Sequence, residues 1–395
     1  MRADLEMLEG RRAVYYGSGQ QFVDYFLHYA DDHRNDWPEL EAEYANLLIA
    51  AQHCRDTDDH NSLLALRDAL QPHLDLQGHW GDSLMLNEWA IAAAQSCGDQ
   101  VGVARFTHDR ADILNQRGEY HQAECLYQSS EEAYLTLGEA EMALRSRHMR
   151  ALVIRAQGRL AEAGRLCEAT IVDAWRLGLH RWLAHPLHVQ ALLARDRGDF
   201  QQARQRIEES LDRLTGSDEL TMIAECHHSL GELALLEGHL AEARAQLEKS
   251  LQLSQQVGIL HRVAATQRLL GDVARTEGQH NEAGRLYREA FTVATRLGDR
   301  PQQAGVLLSR AQLAADLSHK QEAIDLLQNT RSIYQEVGDP RGAIGTSLLL
   351  ARLYLRQGNI GLAMRVGCAA LKVAWTARWL RPRALIGMVQ RRGKW

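Results

Sequence analysis

Apolar residues along this chain recur at spacings of three and four, in segments of about 17 residues bounded by glycine. The stretch GHLAEARAQLEKSLQLSQQVG, Gly238 to Gly258, shows the pattern, with Leu247 and Leu251 on one face. Such a period predicts an amphipathic helix of roughly 25 Å in each segment. Glycine after the last turn supplies the left-handed residue that stops the helix and lets a short turn reverse the chain. Few β-branched runs and six prolines in 395 residues extend the helical expectation to nearly the whole sequence.

The phrase returns forty residues later as GQHNEAGRLYREAFTVATRLG, Gly278 to Gly298. Glycine stands at 78, 118, 158, 198, 238, 278 and 358, with Ser318 in the one gap, and a small residue follows each five places on, from Ser83 and Ala123 to Ala363. A second glycine series is offset by twenty: Gly98, Gly138, Gly178, Gly258, Gly298 and Gly338, with Gly216 in the remaining repeat. A third small series runs Ala111, Ala151, Ala191, Gly231, Gly271, Ala311 and Ala351. Registers in step over so long a stretch mark an internal repeat of 40 residues. Each repeat reads as an antiparallel pair, helix A then helix B, with small residues where two helix axes come closest. One pair cannot bury its apolar face alone, so the pairs stack into a solenoid.

These residues resemble the tetratricopeptide repeat family, with Leu230, Gly231, Gly238, Ala243, Leu247 and Ser250 in one repeat matched by Leu270, Gly271, Gly278, Ala283, Tyr287 and Ala290 in the next. The repeat is longer than the family's usual one and lacks its proline after helix B. Longer repeats of this kind are similar to the sensor regions of bacterial signalling ATPases of the MalT/NLR-like class, and WPELEAEYANLLIAAQHC, Trp37 to Cys54, resembles the helix that precedes the repeats there. The resemblance implies an all-α fold, a TPR-like right-handed α-solenoid with helix A inside. The expected organisation is an N-terminal helical cap over 1–57, eight helix pairs over 58–379, and a basic C-terminal tail over 380–395.

Charge adds one asymmetry. After Asp339 the chain holds no acidic residue but eleven arginines and lysines, leaving 34 basic against 51 acidic residues before it. That contrast suggests internal balance, an acidic protein partner, or a nucleic-acid or membrane surface. Trp375, Trp379 and Trp395 interleave with the basic residues, yet no nucleic-acid motif accompanies them. No run of about 18 apolar residues is present to span a membrane, and the first residues lack a signal-peptide core. Six scattered cysteines without a C-x-x-C pair read as reduced, mostly buried thiols of a cytoplasmic protein.

Chemistry is sparse. There is no phosphate-binding loop, no H-E-x-x-H and no G-x-S-x-G. The clusters HRWLAHPLH and ECHH offer no convergent ligand set, so neither a cofactor, a metal nor a catalytic role is expected. One constellation is periodic: His108, His148, His188 and His228 recur at the repeat interval, with Arg268 in the next copy. The resemblance places that position of helix A on a concave groove, together with the positions three before and four, seven and eight after. The groove set then contains Arg105, Arg145, Arg155, Arg195, Arg268, Arg275, Arg352 and Arg356, against Asp112, Asp196, Glu225, Glu232, Asp272 and Asp316. The histidines have two readings, a ladder of contacts to an extended ligand that gains charge between about pH 7.5 and 5.5, or packing residues that fit between stacked A helices. The expected function is a non-catalytic scaffold or sensor that takes a peptide, protein segment or effector of acidic character in this groove, in bacterial signalling or regulation, with a signalling ATPase or effector protein as a possible partner. The alternative is a structural subunit that packs through its acidic body and basic end.

Overall fold

The computed structural model describes residues 19–34, 36–180 and 182–376, which form nineteen helices and no strand. The expected tail over 380–395 and the first eighteen residues lie outside the described residues. Eight antiparallel pairs follow one another: His60–Gln77 with Trp80–Cys97, Gln100–Arg117 with Tyr120–Leu137, Ala140–Ala156 with Leu160–Arg176, Ala184–Arg197 with Phe200–Arg213, Leu220–Glu237 with Leu240–Val257, Leu260–Thr276 with His280–Arg296, Arg300–Asp316 with Lys320–Glu336, and Pro340–Arg356 with Ile360–Thr376. The first helix of each is called helix A and the second helix B. Before them come Gly19–Asp32, Trp37–Ala42 and Tyr44–Asp56, whose Val23, Phe26, Leu40 and Leu47 share one core with Leu63, Leu66 and Leu70 of the first A helix.

Local chemistry sets the boundaries. Asp59, Asp99 and Asp299 each accept a hydrogen bond from a backbone N–H in the first turn of an A helix, and Asp199 does the same for the fourth B helix. The glycines at the helix ends take positive φ, and Ser318 takes φ 64° in the one repeat without glycine at that place. The third small series marks the tightest A–B contact: a Cβ on Gly231 would lie 2.6 Å from Leu247 Cγ, and one on Gly271 2.5 Å from Tyr287 Cε1. Consecutive A helices touch one another more than consecutive B helices do, so the A helices line the inside of the curve.

The curve closes on itself. The turn between helices A and B of the first two repeats meets the turn between the sixth, seventh and eighth. Gly78 lies against the backbone of Leu297, and Gly118 against Val337 and Pro301. Trp80 and Ile113 share a core with Leu297, flanked by Leu84, Leu260 and Val293. The Gln100–Arg117 and Arg300–Asp316 helices also touch, although about 180 residues lie between them. The open groove expected from the repeat alone is therefore a narrow lumen, shut along one seam.

Candidate functional site

The candidate site is built from charged side chains along the A helices. At its centre stands Asp196, nearly buried near the end of the fourth A helix. Its carboxylate accepts from Arg155 Nε at 2.9 Å, from Arg195 Nη2 at 3.3 Å and from Arg341 Nη1 at 2.6 Å. Arg341 begins the eighth A helix, 145 residues away, and spans the lumen to reach it. Burial pushes the Asp196 carboxyl up, but Arg155, Arg195 and Arg341 together hold it well below the usual carboxylate range.

A second group sits one repeat along. Glu225 pairs with Arg262 at 2.7 Å and approaches His188 Nδ1 at 3.8 Å. Burial raises its pKa, and Arg262, then His188, bring it down to about 2. Arg195 also pairs with Glu232, Arg268 with Asp272 at 3.2 Å, and Arg275 with Asp316 at 2.7 Å. At the near end Arg105 pairs with Asp68 at 2.8 Å and lies over the Phe106 ring. Arg145 differs: it is exposed and makes no ion pair among the described residues.

The periodic histidines are packing residues. His108, His148, His188 and His228 are only 2–8% exposed. His108 Nδ1 meets Ser146 Oγ at 2.9 Å, His228 Nδ1 meets Thr266 Oγ1 at 2.9 Å, and His188 Nε2 meets Ser229 Oγ at 2.8 Å, each partner being on the next A helix. Ser130 and Ser250 of the intervening B helices join the same clusters while donating to the carbonyls of Ala104 and Ala224. His148 has Pro186 where His108 and His228 have a hydroxyl, so its Nδ1 lacks a partner and the ring packs edge-on against Trp182 and His185. The ladder thus runs between helices and presents almost no surface to a ligand. The resemblance implied a groove-facing place for these histidines, but for His108 and His228 the residue 38 places on, Ser146 or Thr266, carries the signal that the imidazole is already engaged.

The expected charge gain between pH 7.5 and 5.5 is corrected as well. Burial holds His148 and His228 well below the ordinary value, and brings His188 and the neighbouring His261 to about 4. Such groups are neutral when folded and titrate near 6.5 when unfolded. Their contribution is complete above pH 6.5 and is lost as the pH falls towards 4, by up to about 3 kcal/mol for His188. Asp299, raised to about 7 by burial, acts in the opposite sense over the same interval. Four histidines outweigh one carboxyl, so the urea midpoint is expected to be clearly lower at pH 5 than at pH 7.5. An unchanged midpoint would mean that the imidazoles reach water.

Arg262, His261 and Arg341 were outside the set that the resemblance implied, because they lie earlier on their A helices than its first position. The basic end contributes Arg341 to the site, while the part beyond residue 376 is outside the described residues. Of the cysteines, Cys54, Cys167 and Cys226 are buried, with thiols pushed up to about 12 by burial, and Cys97, Cys125 and Cys368 are exposed, so burial is less general than expected. No helix among the described residues is long and apolar enough to cross a membrane.

Comparison with known proteins bears on this architecture. Family models for the tetratricopeptide repeat match residues 144–169, 184–209, 224–249 and 262–336. A search of curated proteins returns no match. Among solved structures, a Rap protein complexed with competence and sporulation factor is similar at 13% identity, with TM-score 0.61 over 91% of this chain and 99% of that one. The Rap conjugation gene regulator of plasmid pLS20, in complex with the Phr* peptide, gives 13% identity and TM-score 0.59 over 85% and 96%. The apo quorum sensor NprR from B. thuringiensis gives 13% and 0.52 over 91% and 99%. At these identities the likeness is one of fold.

Proposed function

From the premise that the chain carries tetratricopeptide repeats with their A helices on the inner face, we propose that it is a non-catalytic regulatory module that binds a peptide or protein segment of acidic character in the lumen. The observation that carries this reading is the lumen's polarity. Arg155, Arg195, Arg262, Arg268, Arg275 and Arg341 converge there with their acids, partly withdrawn from water. Such pairs seldom add stability over apolar residues of similar volume, because desolvation offsets their attraction. A lining kept polar suits recognition of a polar chain. The unpaired Arg145 offers a first contact for a carboxylate. Two of the similar structures hold peptide or factor ligands, which supports the same class of ligand here. A signalling ATPase or effector protein would be the natural receiver of a resulting change in curvature.

The test is selection of a random linear peptide library on the full chain. Enriched sequences are expected to be rich in Asp and Glu, to bind less tightly as salt rises, and to lose about tenfold in affinity in Arg145→Glu, a change of about 1.4 kcal/mol. Failure to enrich any sequence, or equal binding by the variant, refutes the reading.

A further inference from the structure

Away from the lumen, the junction between the cap and the first repeat gathers three metal-ligating side chains. Glu41 is on the Trp37–Ala42 helix, His73 lies within the last two turns of the first A helix, and His79 stands just before the first B helix. Both imidazoles present Nε2 to one oxygen, Glu41 Oε2, at 2.9 Å from His73 and 3.3 Å from His79. All three ligand atoms lie within 4.8 Å of one another. The two rings are stacked, with centroids 5.8 Å apart, and Tyr44 stacks on His79 at 4.3 Å while its hydroxyl donates to Asp82 at 2.6 Å. An aromatic wall therefore fixes the ring that is less buried.

We propose that Glu41, His73 and His79 form a binding site for a divalent transition metal of the zinc class. Two imidazole nitrogens and one carboxylate oxygen make a three-ligand set of the kind that leaves one coordination position for water. Zinc bonds of about 2.0–2.1 Å in tetrahedral geometry place ligand atoms roughly 3.3 Å apart. The two separations to Glu41 are near that value already, so an ion entering between them needs small side-chain movements. Binding moves the ring protons to Nδ1 and turns the two Nε2 lone pairs to the metal. His73 is fully buried whereas Glu41 is half exposed, which gives the ion a fixed floor and an open entry. The metal would tie the cap to the solenoid, joining segments 32 residues apart.

Titration of the metal-free full chain with Zn²⁺, followed by calorimetry, tests the site, with Co²⁺ as a spectroscopic substitute. One equivalent is expected to bind, with a rise in melting temperature. Zn²⁺ affinity is expected to fall at least tenfold in His79→Ala and in Glu41→Gln, and to remain in His239→Ala, an exposed histidine elsewhere. Circular dichroism confirms that the variants fold. No saturable binding, or affinity unchanged in both variants, overturns the proposal, as does a Co²⁺ spectrum with the thiolate charge-transfer band of the exposed cysteines.

Discussion

Exchanging Asp196 for Asn is expected to lower the unfolding free energy by about 3–5 kcal/mol, the range for removing one partner of a buried ion cluster. The side chain keeps its shape and loses its charge, leaving Arg155, Arg195 and Arg341 to face one another in a site that water reaches poorly. Arg341→Ala leaves Asp196 two arginines and costs less. The two substitutions share a partner, so the double variant is expected to be more stable than the sum of the single losses predicts. Urea unfolding of all four proteins measures this. Additive losses would show that Arg341 and Asp196 do not meet across the lumen in solution.

The second large effect is expected at Gly78. With φ 79°, any side chain there pays roughly 1–2 kcal/mol for the left-handed backbone. A Cβ would also sit 2.7 Å from Leu297 Cα, backbone that cannot swing away. Gly238 has φ 86° and open space around it, which makes it the matched control. Gly238→Ala should cost the backbone term alone. Gly78→Ala should add about 1–3 kcal/mol of overpacking and widen the ring, seen as a larger radius of gyration in small-angle scattering. Equal behaviour of the two variants would mean that the seam is not closed in solution.

The fold was legible because its determinants are local and repeated. The glycine at 238 stops a helix in its own repeat, and Ala243 packs on its own partner helix, so one repeat predicts the rest. The site was legible only in part. Arg155, Arg195, Arg268 and Arg275 were in the set that the resemblance implied, and the structure pairs them with acids 41, 37, 4 and 41 residues further on. The histidines share that spacing yet are buried between consecutive A helices, where His108, His188 and His228 each meet a hydroxyl. Nothing within one repeat encodes the pitch of the superhelix, so the meeting of Gly78 with Leu297, and of Asp196 with Arg341, had no sequence signal. The junction of Glu41 with His73 and His79 was hidden for the same reason, since it joins the cap to the first repeat.

The seam also bears on how the chain is made. In an open array each repeat needs only its neighbour, and folding can keep pace with synthesis. Here Trp80 and Ile113 are present early, but their cover, Leu297, is translated about 180 residues after the second A helix ends. At 5–20 residues per second the gap lasts roughly 10–40 s. For that interval the nascent solenoid carries an uncovered apolar edge, and a chaperone that shields it would matter most for the first two repeats.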